Sequence, residues 1–303
     1  MTTEDSSATQ DTNWFPILIP EFLVISIINA VTITAFARIR HLRKCSTYLI
    51  MNLTVADLLL GAVAGPLYMY LKDRGSHHSS WSRFSLLAFK ITLLIASPVN
   101  LSLISLERLH ATLFPFKHCL LRKWFYLKII IGSWIITLLL GSLMAGLSLK
   151  LPGTAFHYAW ASFCVATLLV LTISYLIILL NVQKSPHVQN AGALQTERKL
   201  SVTLFIVTGV SILTILPWAI YKSIPSEMQP KWPKTTGVKI YDILAVIYFA
   251  NSMVNPFVYA IRMQEFRRAI GNLVSGQRQA EQRRHQTRAQ RKRARCSQPQ
   301  TML

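Results

Sequence analysis

Residues 161–180 read ASFCVATLLVLTISYLIILL, twenty consecutive positions without a charged side chain. As a helix rising 1.5 Å per residue, such a run spans about 30 Å, the thickness of a bilayer's hydrocarbon core. A helix with one face in water would interrupt it with charge at every turn, so the segment reads as a membrane crossing. Residues 124–147, WFYLKIIIGSWIITLLLGSLMAGL, repeat the pattern with only Lys128 intervening. The whole 303-residue chain follows suit, at 52% hydrophobic and 15% charged. Soluble domains carry roughly 25% charged residues. An ordinary cytosolic enzyme is excluded.

Working outward, seven apolar stretches fall near residues 16–39, 47–70, 84–113, 126–149, 159–182, 201–223 and 238–261. They predict an all-α membrane protein, a seven-transmembrane helix bundle, with the two chain ends on opposite sides. The first fifteen residues hold Glu4, Asp5 and Asp11 but no Lys or Arg, whereas eleven Lys/Arg follow from Arg262 onward. Loops on the C-terminal side add ten more, against eight on the other side. The excess predicts a cytoplasmic C-terminus and an extracellular N-terminus in a multi-pass plasma-membrane protein. A basic leader with a cleavage site is not visible, so the first span is expected to act as its own signal.

The expected division is an amino tail over 1–15, a bundle over 16–261, a short amphipathic eighth helix over 262–275 and a basic tail over 276–303. In RMQEFRRAIGNLV, Met263, Phe266, Ile270 and Leu273 recur at helical spacing opposite basic residues, the pattern of a helix lying on a membrane. RKRAR, at 291–295, imitates a nucleic-acid-binding run. On a membrane protein it reads instead as a solvated tail drawn to anionic lipid, and no nucleic-acid partner is expected.

Polar groups inside a span are costly unless paired or hydrated. Asp57 sits mid-span in NLTVADLLLG; burial could keep it protonated, or neighbours could help it hold a cation. The candidate neighbours are Ser97, Asn251, Ser252 and Asn255, the last three sharing one helical face. One carboxylate among hydroxyl and amide oxygens suits a hard monovalent cation with water. Lys90, Ser97 and Arg108 are spaced by seven and eleven residues and lie on one stripe of the third span. Glu107 adjoins Arg108, and Glu197 opens the sixth span, so the two acids could tie helix ends together through the Arg. Alternatively the acids are interfacial charges and Arg108 snorkels. Pro217 and Pro256 interrupt helical hydrogen bonding within spans. Tyr259 continues the Asn255 face, and Tyr175 lies near the cytoplasmic end of the fifth span.

Taken together, these residues resemble the rhodopsin-like (class A) family of G-protein-coupled receptors from about residue 16 to 270. Asn29 matches the first-span Asn and Asp57 the second-span acid. Glu107–Arg108–Leu109 resembles the Asp/Glu–Arg–Tyr triplet, with Pro115 seven residues beyond the Arg. Trp134, Tyr175 and Pro217 match one landmark each in spans four to six, and Asn255-Pro256-Phe257-Val258-Tyr259 fits NPxxY. The resemblance implies an allosteric sodium pocket at Asp57, Ser97, Asn251, Ser252 and Asn255. It implies a heterotrimeric G protein as partner, engaged by Arg108 on release from Glu107 and Glu197. Tyr175 and Tyr259 would turn inward to support the open form, and Pro115 and Phe116 would present the second cytoplasmic loop. No enzymatic activity is expected, and no cofactor beyond the sodium ion.

The chain departs from that pattern in specific places. Arg83 stands where the third span usually carries the cysteine of an extracellular disulfide, and Cys45, Cys119, Cys164 and Cys296 are placed where none can form it. Thr167 replaces the fifth-span Pro, Pro98 and Ser211 replace the Ile and Phe of the activation core, and Ile215 stands for the sixth-span Trp. Lack of the disulfide and of the fifth-span Pro is similar to melanocortin-like receptors. The second extracellular loop, about KLPGTAFHYA, is very short.

Lys90 occupies the position where amine receptors carry Asp, and Phe249 the position of the retinal lysine in opsins, so a protonated amine and a retinal are both disfavoured. The candidate ligand residues are Lys90, Trp218 and Tyr248, and an anionic, extracellular or lipid-derived ligand follows from the lysine; pairing of Lys90 with Asp242 is the competing reading. The expected function is ligand-driven G-protein activation through opening of the sixth helix. A constitutively active or weakly coupling receptor is the alternative, ahead of a transporter or channel, for which repeats and broken helices are missing.

Overall fold

Continuous apolar sequence becomes continuous helix in the computed structural model, which describes residues 15–38, 47–74, 80–150, 153–184, 192–224, 234–262, 266, 267 and 271. The elements are α1 (Phe15–Arg38), α2 (Thr47–Leu59), a π-helical turn (Leu60–Ala64), α3 (Gly65–Arg74), α4 (Ser80–Leu113) and the short α5 (Pro115–Cys119). Then come α6 (Lys123–Lys150), α7 (Gly153–Lys184), α8 (Gly192–Ser223) and α9 (Lys234–Arg262). Among the described residues there is no strand. With α2, the π turn and α3 forming one crossing, the long helices make the expected seven-membered bundle. Six of them are long and apolar enough to span a membrane over their described residues. The remaining crossing, expected over 201–223, lies within α8.

The outward faces are apolar: Leu23, Ile27, Leu139 and Leu213 are all more than half exposed. In water that surface would drive aggregation; in hydrocarbon it is the matching solvent. The bundle interior holds the polar residues, the arrangement that the sequence required of a membrane protein.

Close approach relies on small residues, since lipid tails compete with any apolar contact. A Cβ on Gly61 would come within 2.8 Å of both Ile25 and Ser26, so α1 can seat against the π turn only because that side chain is missing. A Cβ on Gly141 would reach 2.8 Å from the Thr92 backbone nitrogen, which sets how tightly α6 lies on α4. Helix α4 is central and touches α2, α3, α5, α6, α7 and α8. It runs through two apolar clusters, giving Ile91 and Ile95 to one built on Phe22, Tyr68, Trp160, Trp218 and Phe249, and Leu101 and Ile104 to the other, built on Phe36, Tyr126, Tyr175, Tyr259 and Phe266.

The second cluster reaches the expected eighth helix. Phe266 is buried against Phe36, with ring centroids 5.3 Å apart, while Arg267 is exposed. Met263, Ile270 and Leu273 lie outside the described residues, as do the amino tail and the basic tail. The expected loop between the fourth and fifth spans is shorter still: α6 runs to Lys150 and α7 starts at Gly153. Past Gly153 the stretch TAFHYAW holds no helix breaker, and Phe156 stacks on Trp160 one turn on, at 6.2 Å.

Candidate functional site

Asp57 is fully buried in α2, just before the π turn, a local unwinding often found at functional sites. Its Oδ1 accepts a hydrogen bond from the Ser252 hydroxyl at 2.8 Å, and its Oδ2 one from the Asn255 amide at 2.7 Å. Because Ser252 and Asn255 are three apart on α9, one helix face delivers both donors. Ser97 of α4 lies beside the same carboxylate without meeting hydrogen-bond geometry. Asn251 sits in the same layer but is committed elsewhere, its Oδ1 accepting from Thr214 of α8 at 3.1 Å.

Three buried oxygens in this layer lack partners: Ser97 Oγ, Asn255 Oδ1 and Asn29 Oδ1. Asn29 is fixed by its amide, which donates to the backbone carbonyls of Ile25 and Ser252 and so ties α1 to α9. Orphaned acceptors around a buried carboxylate are costly unless water or a cation satisfies them. No cluster of three or more His, Cys, Asp or Glu occurs among the described residues, so a transition-metal site is not indicated there. The donor set is one carboxylate with neutral oxygens, and it fits a hard monovalent cation.

A neighbouring polar triad was not legible in the sequence. Asn52 donates to Asn100 Oδ1 at 2.5 Å and accepts from Trp134 Nε1 at 2.9 Å, joining α2, α4 and α6. Trp134 could be matched by resemblance, but its partner could not be named from spacing along one chain.

At the end of the bundle nearest the C-terminus, Arg108 is 1% exposed. Its Nε and Nη2 grip Glu107 in a fork, at 2.5 and 2.6 Å. Glu107 Oε1 also accepts from the Tyr126 hydroxyl at 3.2 Å and lies 3.3 Å from His118 Nε2, so α4, α5 and α6 meet on one carboxylate. Tyr126 and His118 had no signal in the sequence. The Glu197 side chain lies outside the described residues, so the second acid of the tie is not placed. Pro115 opens α5, its side chain likewise outside the description, and Phe116 projects with 88% exposure. Tyr175 and Tyr259 are buried, the Tyr259 hydroxyl without a partner. Helices α8 and α9 run on through Pro217 and Pro256.

In the other half, Lys90 lies 5.8 Å from the Tyr68 ring and Lys222 4.8 Å from the Tyr241 ring and 6.0 Å from Trp218. Asp242 lies beside Tyr68. Trp218 packs on Tyr248 at 4.4 Å, and the Tyr248 hydroxyl donates to the Leu94 carbonyl at 2.7 Å. Lys90, Trp218 and Tyr248 therefore share one half of the bundle, with only the two aromatics in ring contact. Lys222 follows Trp218 by four residues, which puts it on the same helical face. Glu21 of α1 was also missed: it is buried and neither carboxylate oxygen has a hydrogen-bond partner.

Comparison with known proteins gives two consistent results. Residues 28–155 and 150–259 match the family model described as "7 transmembrane receptor (rhodopsin family)". Among curated proteins, trace amine-associated receptor 7e of Rattus norvegicus is 25% identical over 287 residues, covering 82% of this chain and 78% of that receptor. Trace amine-associated receptor 7d of Mus musculus is 27% identical over 287 residues, with the same coverage.

Proposed function

The chain belongs to the rhodopsin family of seven-transmembrane receptors, and we propose that it binds an anionic ligand in its outer half and opens α8 to activate heterotrimeric G proteins. Membership makes it a multi-pass membrane signalling receptor rather than an enzyme, with a ligand and a G protein as partners. The observation that carries the proposal is Arg108, buried and forked onto Glu107 at the helix end that would face the transducer. Breaking that fork releases the Nε and Nη2 donors for the carbonyls or carboxylates of a docked partner. Phe116, exposed on α5, offers an apolar contact beside it. The acidic amino tail would then be extracellular and the basic tail cytoplasmic.

The relatives' printed name refers to trace amines. This chain sets Lys90 against Tyr68 and Lys222 against Trp218 and Tyr241, so a protonated amine approaching either group of rings would meet a like charge. A carboxylate or phosphate attached to an apolar body answers both features, with charge at either lysine and rings against the body. The Asp57 layer would hold sodium, with Ser97 and Asn255 turning their free oxygens to it and Ser252 and Asn255 orienting the carboxylate. A bound cation there would hold α2, α4 and α9 together and favour the closed bundle.

Coupling is tested by ligand-free G-protein activation in cells across a transducer panel, comparing wild type with Glu107→Gln and Arg108→Ala at matched surface expression. The expected result is a basal signal raised by Glu107→Gln and lost in Arg108→Ala for at least one subtype. Three indistinguishable proteins across the panel would overturn the role given to Arg108.

A further inference from the structure

One oxygen at the C-terminal end of the bundle is oversubscribed. Three donors converge on Glu107 Oε1: Arg108 Nη2 at 2.6 Å, the Tyr126 hydroxyl at 3.2 Å and His118 Nε2 at 3.3 Å. A carboxylate oxygen has two lone pairs to offer them. His118 turns its other ring nitrogen to a second imidazole, its Nδ1 lying 3.5 Å from His110 Nδ1. Across that gap one nitrogen must carry a hydrogen and the other a lone pair. With His118 neutral and donating through Nε2, its Nδ1 accepts from His110. Donation then runs one way, from His110 of α4 through His118 of α5 and back to Glu107 of α4.

We propose that His110 and His118 form a proton-operated release for Arg108, in which uptake of one proton by the pair sets a cation against Glu107 and favours the form that has let Arg108 go. The proton comes from water and lands on His118 Nδ1. His110 exchanges its tautomer, so that its own Nδ1 becomes the acceptor and its Nε2 carries the hydrogen. Imidazole is the side chain suited to this, since it changes charge between about pH 5 and pH 8. The His118 side chain is 15% exposed, enough for water to reach it, whereas Arg108 is 1% exposed.

The direction follows from counting charge. Glu107, Arg108 and neutral His118 sum to zero; protonation leaves one positive charge too many around a single carboxylate. Two cations sharing that carboxylate repel each other, and burial leaves little solvent to screen them. Turning Arg108 away relieves the repulsion and gives Glu107 to His118. The proton therefore binds the open form better than the closed one, and acid shifts the population towards it. Other titratable groups surround the pair. Lys117 of α5 lies 5.5 Å from the Phe114 ring, which packs on His110, and Arg122 and Lys123 stand at the start of α6. Tyr48 of α2 and Tyr175 of α7 share the apolar cluster of Tyr126. Among the described side chains at this end, Glu107 is the one acid for which Arg108 and His118 compete.

The effect on signalling rests on the coupling role given to Arg108 above; the competition itself does not. Receptor in lipid nanodiscs, labelled with nitrogen-15 histidine, is titrated from about pH 8 to pH 5 and followed by NMR, with the His118 signal assigned from His118→Gln. The pH at which His118 takes up its proton should rise in Arg108→Gln, where the competing cation is gone. It should fall in Glu107→Gln, where the anion is gone, each change being about half a unit or more. The same pH in all three proteins would overturn the release. G-protein nucleotide exchange supplies a second reading that needs neither variant to fold. Acidification should raise exchange by wild type about twofold or more and leave His118→Gln flat, because glutamine keeps a donor but no titratable proton. An acid response retained in His118→Gln would overturn the release as well. Glu107→Gln run alongside reports on coupling alone: no rise in its exchange, with the His118 titrations displaced as expected, would strike the coupling role and support the proton pair.

Discussion

Two neighbouring layers of the same bundle are built on opposite terms. Around Asp57, side chains from α1, α2, α8 and α9 are linked by hydrogen bonds, with Asn29 and Asn255 bridging helices. Among Pro98, Thr167, Ser211 and Ile215, by contrast, no side chain hydrogen-bonds across helices: Thr167 bonds back to Phe163 in its own helix and Ser211 Oγ has no partner. The first layer keeps the residues that match the family; the second has exchanged them for others. The contrast teaches that interhelical hydrogen bonds are concentrated in the polar plane, while α7 and α8 meet through apolar contacts such as Trp160 on Trp218.

That comparison is easily broken or sharpened by substitution. The largest effect is expected from Gly141→Leu, which drives a side chain into the Thr92 backbone. Overpacking of this kind costs about 1–3 kcal/mol or more, and thermal unfolding of the purified receptor should show severe loss of folded protein. Next comes Asn52→Ala, which strands Asn100 Oδ1 without its donor and Trp134 Nε1 without its acceptor. Interhelical hydrogen bonds in membranes are worth about 0.6 kcal/mol on average and up to about 1.7, so losing two gives a clearly lower melting temperature. An unchanged melting temperature would mean the polar plane is not the cohesive one. A smaller drop should follow Thr214→Val, which removes one interhelical hydrogen bond to Asn251. Such bonds average about 0.6 kcal/mol in membranes. Smallest of all is Ser211→Ala, because no partner is lost; melting should stay within about 0.5 kcal/mol of wild type, and a drop like that of Asn52→Ala would erase the contrast.

Much of the fold was legible because membrane spans announce themselves in one dimension. A twenty-residue apolar run such as 161–180 has few alternatives to a crossing helix, and all seven expected stretches coincide with helices. The Asp57 grouping was legible for a related reason: Ser252 and Asn255 share a helical face, and a buried acid needs donors. What the sequence hid were meetings between helices. Nothing in the spacing joins Asn52 to Trp134, or Tyr126 to Glu107, since those contacts depend on how α2, α4 and α6 are turned towards one another. The helical start of α7 at Gly153 was hidden as well, because Gly and Pro beside Lys150 imitate a longer loop.

The most direct measurement is the thermal stability of the nanodisc-embedded receptor, wild type and Asp57→Asn, titrated with sodium chloride and, at equal ionic strength, with choline chloride. A cation held by the polar plane predicts that sodium alone raises the wild-type melting temperature, in a saturable way, and that Asp57→Asn does not respond. A flat wild-type response, or the same rise in both proteins, would contradict the assignment of that plane as the receptor's cation-controlled lock.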